Sequence, residues 1–336
     1  MLPSNAYIQL TQDLQICRLL NGMWQVSGAH GAIEPHSALR SMTDYHRAGY
    51  TTWDLADHYG PAEDFIGLFR QSLNTQTPSA GDFQALTKWV PRPAPMPRQV
   101  VEQAVNISRR RMAAQTLDMI QFHWWDYHDD AYLDALEHLA ALRDQGWMRH
   151  VALTNFDTAH VQIITERGIG VVSNQVQFSI IDRRPEVRMI EYCGANGIAL
   201  LPYGTVCGGL ISERYLGAPE PTYNTLNTAS LRKYKNMIDT WGGWALFQRL
   251  LTTLKHIAVK HDTSIATIAI RYILDKPTVA GVIIGARLGV SDHRDDNARV
   301  FGIALDDDDR DRIHEITAQA RDLYAVIGDC GDEYRR

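Results

Sequence analysis

Eight times along this chain a short apolar run of β-forming residues is followed by a segment whose apolar residues recur at three- and four-residue steps. The runs are Arg18–Gly22, Thr51–Leu55, Ala85–Val90, Met119–His123, His150–Thr154, Val171–Val176, Ile198–Tyr203 and Val279–Ile284. Several are almost continuously hydrophobic, as in Gly281-Val282-Ile283-Ile284, which suits strands buried on both faces of a parallel sheet. Helices are expected over Ser37–Arg47, Glu63–Ser72, Pro97–Met112, Ala131–Arg143, Thr158–Thr165 and Glu186–Ala195, where Leu133, Leu136, Leu139 and Leu142 form one apolar stripe. Strand starts near 51, 85, 119 and 150 are spaced at about the 30 residues that a strand–helix–strand crossover needs. A helical solenoid of similar period would lack the apolar strands. The expected fold is therefore α/β, a (β/α)8 TIM barrel.

The 336 residues are expected to form one domain, 1–336, with three embellishments. Tyr7–Leu10 and Leu14–Cys17 flank Gln12-Asp13 and read as a hairpin that plugs the barrel bottom. Between the seventh and eighth strands lies a long excursion, 205–262, with a polar stretch over Ala218–Ser230 and a helix near Gly243–Lys260, followed by a helix near Ser264–Asp275. A C-terminal helix and tail, 305–336, opens on four consecutive aspartates from Asp306, read as complementing a helix dipole and not as a metal site.

Net charge is −6, with 33 Lys+Arg against 39 Asp+Glu, so no basic excess favours nucleic acid or anionic lipid. No apolar stretch approaches the about 18 residues of a membrane helix, and a soluble cytoplasmic protein is expected. The four cysteines read as buried thiols.

The segment Asp54-Leu55-Ala56-Asp57-His58-Tyr59-Gly60 places a carboxylate at a strand's C-terminal end and a tyrosine in the following loop, on the face where barrels do chemistry. Lys88 ends the next strand and His123 the one after. A lysine among apolar strand ends needs a partner charge, and Asp54 supplies one. An ammonium near Tyr59 would draw its pKa down and make it a general acid, while His123 would donate a hydrogen bond that orients a substrate oxygen. Protonating a carbonyl oxygen requires hydride at carbon, which no side chain provides, so a nicotinamide is implied.

The cluster His123, Asp126, His128, Asp129 and Asp130 lacks metal-ligand geometry, and no metal is expected. Trp24, Trp89, Trp124 and Trp125 all fall near strand ends and suggest an aromatic-walled mouth for a ring-bearing or apolar carbonyl compound, with a sugar as the alternative. After the last strand, Arg287 and a helix near Ser291 form an independent phosphate site.

With Asp54, Tyr59, Lys88 and His123 in these contexts, the chain resembles the aldo-keto reductases, (β/α)8 barrels that reduce carbonyls through an Asp, Tyr, Lys and His tetrad. Leu55 stands where the family usually has Thr. The resemblance implies Trp24 as a pocket wall, Thr154, Asn155 and Gln175 as holders of the nicotinamide carboxamide, and Tyr203 as the ring that stacks on it. It implies cofactor contacts at Gly204, Gly285, Arg287, His293 and Asn297; Gly204 replaces a common Ser, losing one phosphate hydrogen bond, and Arg294 is expected to substitute for the basic residue absent at His293. The expected cofactor is NADP(H), with NAD(H) as the alternative, and the expected partner a small carbonyl or alcohol. A nucleotide-binding regulatory subunit with little turnover is the competing reading, and a hydrolase using Asp54 and His123 ranks last.

Overall fold

The computed structural model describes residues 1–28, 33–76 and 83–335. A hairpin of β1 (Tyr7–Thr11) and β2 (Leu14–Cys17) precedes eight parallel strands: β3 (Leu19–Gly22), β4 (Thr52–Asp54), β5 (Gln84–Trp89), β6 (Leu117–Phe122), β7 (Met148–Thr154), β8 (Ser173–Gln175), β9 (Ala199–Leu200) and β10 (Val282–Gly285). They lie in the order β10-β3-β4-β5-β6-β7-β8-β9, and single parallel bridges Leu200↔Val279 and Tyr203↔Ile283 close the ring. This is the expected (β/α)8 barrel, with every expected strand within a few residues of its reading.

Alternation along each strand divides the chain into two environments. Inward positions are apolar at the bottom and polar at the top: Leu86 then Lys88, Met119 then Gln121, Ala152 then Thr154. Leu14 and Ile16 of the hairpin pack with Leu20, Leu86, Met119, Ala152, Leu201 and Ala280, so the hairpin does seal the bottom. Outward positions such as Trp53, Ile120, Phe122, Val151 and Leu153 pack in the larger core beneath the helices.

The helices are α1 (Pro35–Arg47), α2 (Ala62–Gln76), α3 (Arg98–Arg111), α4 (Ala131–Asp144), α5 (Thr158–Glu166) and α6 (Met189–Ala195), then α7 (Ala229–Trp241), α8 (Gly243–Lys260), α9 (Ile265–Leu274), α10 (Arg294–Ala298), α11 (Asp307–Thr317) and α12 (Leu323–Ile327). Caps set several starts: the Glu34 carboxylate accepts from the amides of His36 and Ser37, and Asp157 accepts from His160. Asp306 and Asp309 form a capping box at α11, with Lys260 and His261 on the same carboxylates, so this acidic run serves as a helix start. Two elements differ from the sequence reading. The helix expected over Glu186–Ala195 divides into a 3-10 turn at Arg184–Glu186 and α6, because the backbone leaves helical geometry at Arg188, where φ is −143°. Within the excursion, α7 starts at the end of the polar stretch and fills 231–241, to which the sequence reading assigned no element; it buries Leu231, Tyr234, Met237, Ile238 and Trp241 along one face.

Candidate active site at the C-terminal mouth of the barrel

Asp54, Lys88 and His123 leave the tops of β4, β5 and β6 and are only 3%, 4% and 2% exposed. The Lys88 ammonium donates to both Asp54 oxygens at 2.7 Å and to the Leu55 carbonyl at 3.0 Å. Asp54 also accepts from Gln121 Nε2 at 2.9 Å and Gln175 Nε2 at 2.7 Å, which fully clothes a buried carboxylate. Gln121 escaped the sequence reading, although its inward parity with His123 two residues on was a usable signal.

Tyr59, half-buried in the loop after β4, has its ring centroid 5.2 Å from Lys88 Nζ. From sequence, a lowered phenol pKa is expected. Instead burial, with Asp54, Tyr334 and Asp57 adding to it, pushes the hydroxyl well above its usual 10.0. The Lys88 ammonium is held by both Asp54 oxygens and the Leu55 carbonyl, so the phenol meets the Asp54 charge together with it. Burial also pushes the Lys88 ammonium down, with Asp54 opposing it.

His123 Nδ1 lies 3.0 Å from the Thr154 carbonyl. A carbonyl only accepts, so Nδ1 carries the proton; burial pulls the ring's pKa down to about 4, so the imidazole is neutral. Nε2 therefore presents a lone pair, buried and without a hydrogen-bond partner among the described residues. With the proton on Nδ1, the ring offers the mouth an acceptor where a donor is expected from sequence.

The tryptophans separate by strand parity. Trp125, 38% exposed, sets its edge on His123 at 4.3 Å between ring centroids, and Trp24 lies edge-on to Tyr59 at 5.0 Å. Trp89 and Trp124 are not at the mouth. Each follows an inward residue, so Trp89 turns outward onto Phe122, and Trp124 packs on Phe122 and donates to the Asp126 and Asp129 carbonyls. Asp126 and Asp129 themselves accept from the amides of His128 and Ala131, the work of a turn and a helix start.

The residues expected to hold a carboxamide gather on the opposite rim. Asn155, in left-handed backbone at φ 58°, donates its amide to the Gln175 carbonyl at 2.8 Å and accepts the Tyr203 hydroxyl on Oδ1 at 2.9 Å. Such a conformation is costly for a residue with a side chain and is held here by both bonds. Thr154 Oγ1 donates to the Gln175 carbonyl at 3.3 Å. Gln175 spends its amide on Asp54 and on Gln121 Oε1.

Beyond β10, Gly285 lies against the Gln25 side chain, Asn297 is buried, and Arg287 and His293 are exposed. Arg287 has no ion pair among the described residues. Arg294 does not fill the role expected of it: its guanidinium grips both Asp292 oxygens, at 2.9 and 2.6 Å, and lies over the Tyr45 ring. The helix expected near Ser291 starts at Arg294 and has 5 residues, and Asp292 already meets its first amide, so the phosphate reading there rests on Arg287.

The C-terminal tail crosses this mouth, which nothing in the sequence indicated. Arg184, 1% exposed, ties Glu333 to Asp182, and Arg335 donates to the Trp124 carbonyl while stacking on Tyr127. Between these anchors the Tyr334 ring stands perpendicular to His123, centroids 6.1 Å apart, and its hydroxyl is 2.9 Å from that of Tyr203. Gly331, at φ 90°, passes so close that a β-carbon there would lie 2.0 Å from the Asn155 carbonyl.

The donor set suits a nicotinamide dinucleotide: an orphaned buried imidazole nitrogen beside a phenol, an aromatic ring opposite, and an unpaired guanidinium farther along the rim. Comparisons agree. The profile of the aldo/keto reductase family matches residues 18–318. An NADH-specific methylglyoxal reductase of Escherichia coli is 20% identical, with 91% of this chain and 96% of that protein covered. Flagellar radial spoke protein 5 of Chlamydomonas reinhardtii is 29% identical over 48% of this chain, which spans only 34% of that longer protein. Among solved structures, the glycerol dehydrogenase AKR11B4 of Gluconobacter oxydans superposes with a TM-score of 0.78 at 20% identity, covering 94% of this chain and 96% of that one. The thermostable aldo-keto reductase Tm1743 gives 0.70 at 21% identity, covering 92% and 99%.

Proposed function

Because the chain belongs to the aldo/keto reductase family, we propose that this oxidoreductase reduces an aldehyde or ketone to an alcohol with Tyr59 as the acid. The observation that carries the proposal is the phenol beside a fully clothed Asp54–Lys88 pair, with the orphaned His123 nitrogen facing the same mouth. A bound nicotinamide supplies hydride, which the side chains cannot. Tyr59 keeps its proton at neutral pH because its pKa is raised, and releases it only to an oxygen on which alkoxide charge is developing. Lys88, held by Asp54, sets a positive charge near that phenol and steadies the charge it acquires.

His123, with a lone pair on Nε2, orients oxygen by accepting a hydroxyl proton. A bare carbonyl offers it none; an alcohol, or a hydroxyl on the carbon next to the carbonyl, does. This favours hydroxylated carbonyl substrates over apolar ones, and Trp24 and Trp125 can stack on either.

NADP(H) is the cofactor reading supported by Arg287, an exposed guanidinium suited to a 2′-phosphate. NAD(H) is the second reading, favoured by Asp292, Asp295 and Asp296, which with His293 and Arg299 line a cavity beside α10 and suit a ribose hydroxyl better than a phosphate.

The test is loss of NADPH or NADH absorbance with a panel of aldehydes and ketones, pairing glycolaldehyde with propionaldehyde. Turnover with at least one cofactor, preferring glycolaldehyde, is expected. Cofactor binding without turnover of any carbonyl would return the regulatory-subunit reading to first place.

A further inference from the structure

The mouth contains a cation that forms no ion pair among the described residues, although the Glu333 carboxylate, already paired with Arg184, feels its charge. Lys233, on α7, is half-buried, and among the described residues no carboxylate lies within 4.0 Å of its ammonium. It donates to the Tyr334 hydroxyl and sits among three tyrosine rings, with centroids of Tyr334 at 4.6 Å, Tyr203 at 5.1 Å and Tyr234 at 5.6 Å. Ring faces attract an ammonium, but they replace only part of the water it has lost. Of the other buried or half-buried cations described around the mouth, Lys88 is committed to Asp54 and Arg184 to Asp182 and Glu333, while Arg335 lies on Tyr127 and donates to the Trp124 carbonyl, which places it at the tail's far anchor.

Its position is defined by the loop that follows β9. Tyr234, the next residue, packs on that loop so tightly that a β-carbon at Gly204 would lie 2.2 Å from its hydroxyl, and one at Gly208 would lie 3.0 Å from its ring. Both glycines have positive φ, 76° and 65°. Between them the amides of Thr205 and Val206 donate to no backbone carbonyl among the described residues. A tight loop rich in left-handed residues, with Cys207 and Gly209 also at positive φ (49° and 99°), that leaves amides free can receive phosphate oxygens. The loop also lies between the two ends of the mouth, since β9 adjoins β10 through Tyr203 and Ile283.

We propose that Lys233 is the ligand for the diphosphate of the dinucleotide, and that the Tyr334 hydroxyl holds it in the free protein until the cofactor takes its place. The inference rests on the cofactor-dependent reading above. A dinucleotide with its reactive ring beside Tyr59 and its adenosine beyond β10 must carry its diphosphate across the segment between them, where Lys233 stands over the Tyr203 ring, one residue before the Tyr234 that packs on the loop at Gly204. The excursion thus takes part in binding, because α7 delivers the charge that Gly204, lacking a side chain, cannot complement with a hydroxyl. Binding exchanges a neutral phenol for a doubly anionic group and removes one of the bonds that hold Tyr334 over His123, loosening the tail between its Arg184 and Arg335 anchors.

The experiment is titration of full-length wild type, Lys233→Gln, Lys233→Arg and Tyr334→Phe with NADH and with NADPH, read by tryptophan fluorescence. Thermal melting of each free variant checks that it folds. Lys233→Gln should raise both dissociation constants by the same factor, about tenfold or more, because both cofactors share the diphosphate; Lys233→Arg should stay within about threefold of wild type. Tyr334→Phe should tighten both by a few-fold. Inorganic pyrophosphate should compete with the nucleotide on wild type and not on Lys233→Gln. Unchanged affinity in Lys233→Gln, or a loss confined to NADPH, would overturn the assignment; unchanged or weaker affinity in Tyr334→Phe would overturn the storage role. Wild type that binds neither nucleotide would instead defeat the cofactor reading itself.

Discussion

Replacing Lys88 by Met tests the buried pair on which the acid depends. The substitution removes the two 2.7 Å bonds to Asp54 and leaves a carboxylate that is 3% exposed with Gln121 and Gln175 as its donors. The Leu55 carbonyl is not orphaned, because it still accepts the residue 88 amide at 3.0 Å. Removing one partner of a buried ion pair costs about 3–5 kcal/mol, and the two remaining amide donors place this case near 3 kcal/mol. Asp54→Asn should cost a similar amount by stranding the ammonium. In the double variant neither charge is left alone, so its loss should fall about 2 kcal/mol or more short of the sum of the singles. The measurement is urea unfolding followed by tryptophan fluorescence on all four proteins. Losses that add to within about 0.5 kcal/mol would show that the two residues are not energetically a pair, and would refute the reasoning.

Tyr59→Phe should reduce turnover by at least about a thousandfold while cofactor affinity stays near wild type, since the phenol's role is proton delivery; a fluorescence titration showing lost NADPH binding would contradict that role. Arg287→Ala should weaken NADPH far more than NADH, and equal losses would remove the 2′-phosphate contact. The depressed His123 pKa makes stability depend on pH. An unfolded histidine takes a proton near pH 6.5, whereas the folded ring does so only near 4, so between those values the unfolded chain binds more protons and stability falls as pH drops. The full loss is about 3 kcal/mol, absent above about pH 7. Unfolding of His123→Gln and wild type at pH 4.5, 6 and 8 should show this difference, and parallel curves would mean that the ring is not held neutral.

The barrel and the four catalytic candidates were legible because both obey short-range rules. Apolar runs mark strands buried on two faces, and the residue that ends such a strand points into the mouth. The same alternation, applied one residue further, excludes Trp89 and Trp124 from the mouth; proximity in sequence to Lys88 and His123 had suggested the opposite. α7 was readable from Leu231, Tyr234, Met237, Ile238 and Trp241 at helical spacing, but lysines 233 and 235 and the Thr/Asn-rich approach interrupt the pattern and leave it unassigned; Lys235 is in fact buried against Glu220 and Asp239. The tail had no local signature, since Tyr334 meets Tyr203 across 131 positions. Nor does sequence reveal which imidazole nitrogen of His123 carries the proton, which the Thr154 carbonyl decides.

The ring of strands is unevenly sewn. β6 and β7 share a register of five residue pairs, from Leu117↔Met148 to Phe122↔Leu153, whereas β9 meets the last strand's segment only through two isolated bridges. The barrel therefore has a seam, and the long excursion leaves the chain at it. A molecule held on one side by residues after β9 and on the other by residues after β10 acts as a staple across that seam. Occupancy should then slow amide exchange in 199–203 and 279–285 before it alters exchange in β6 or β7, making a sparsely paired wall of the cylinder the place where ligand binding is converted into mechanical integrity.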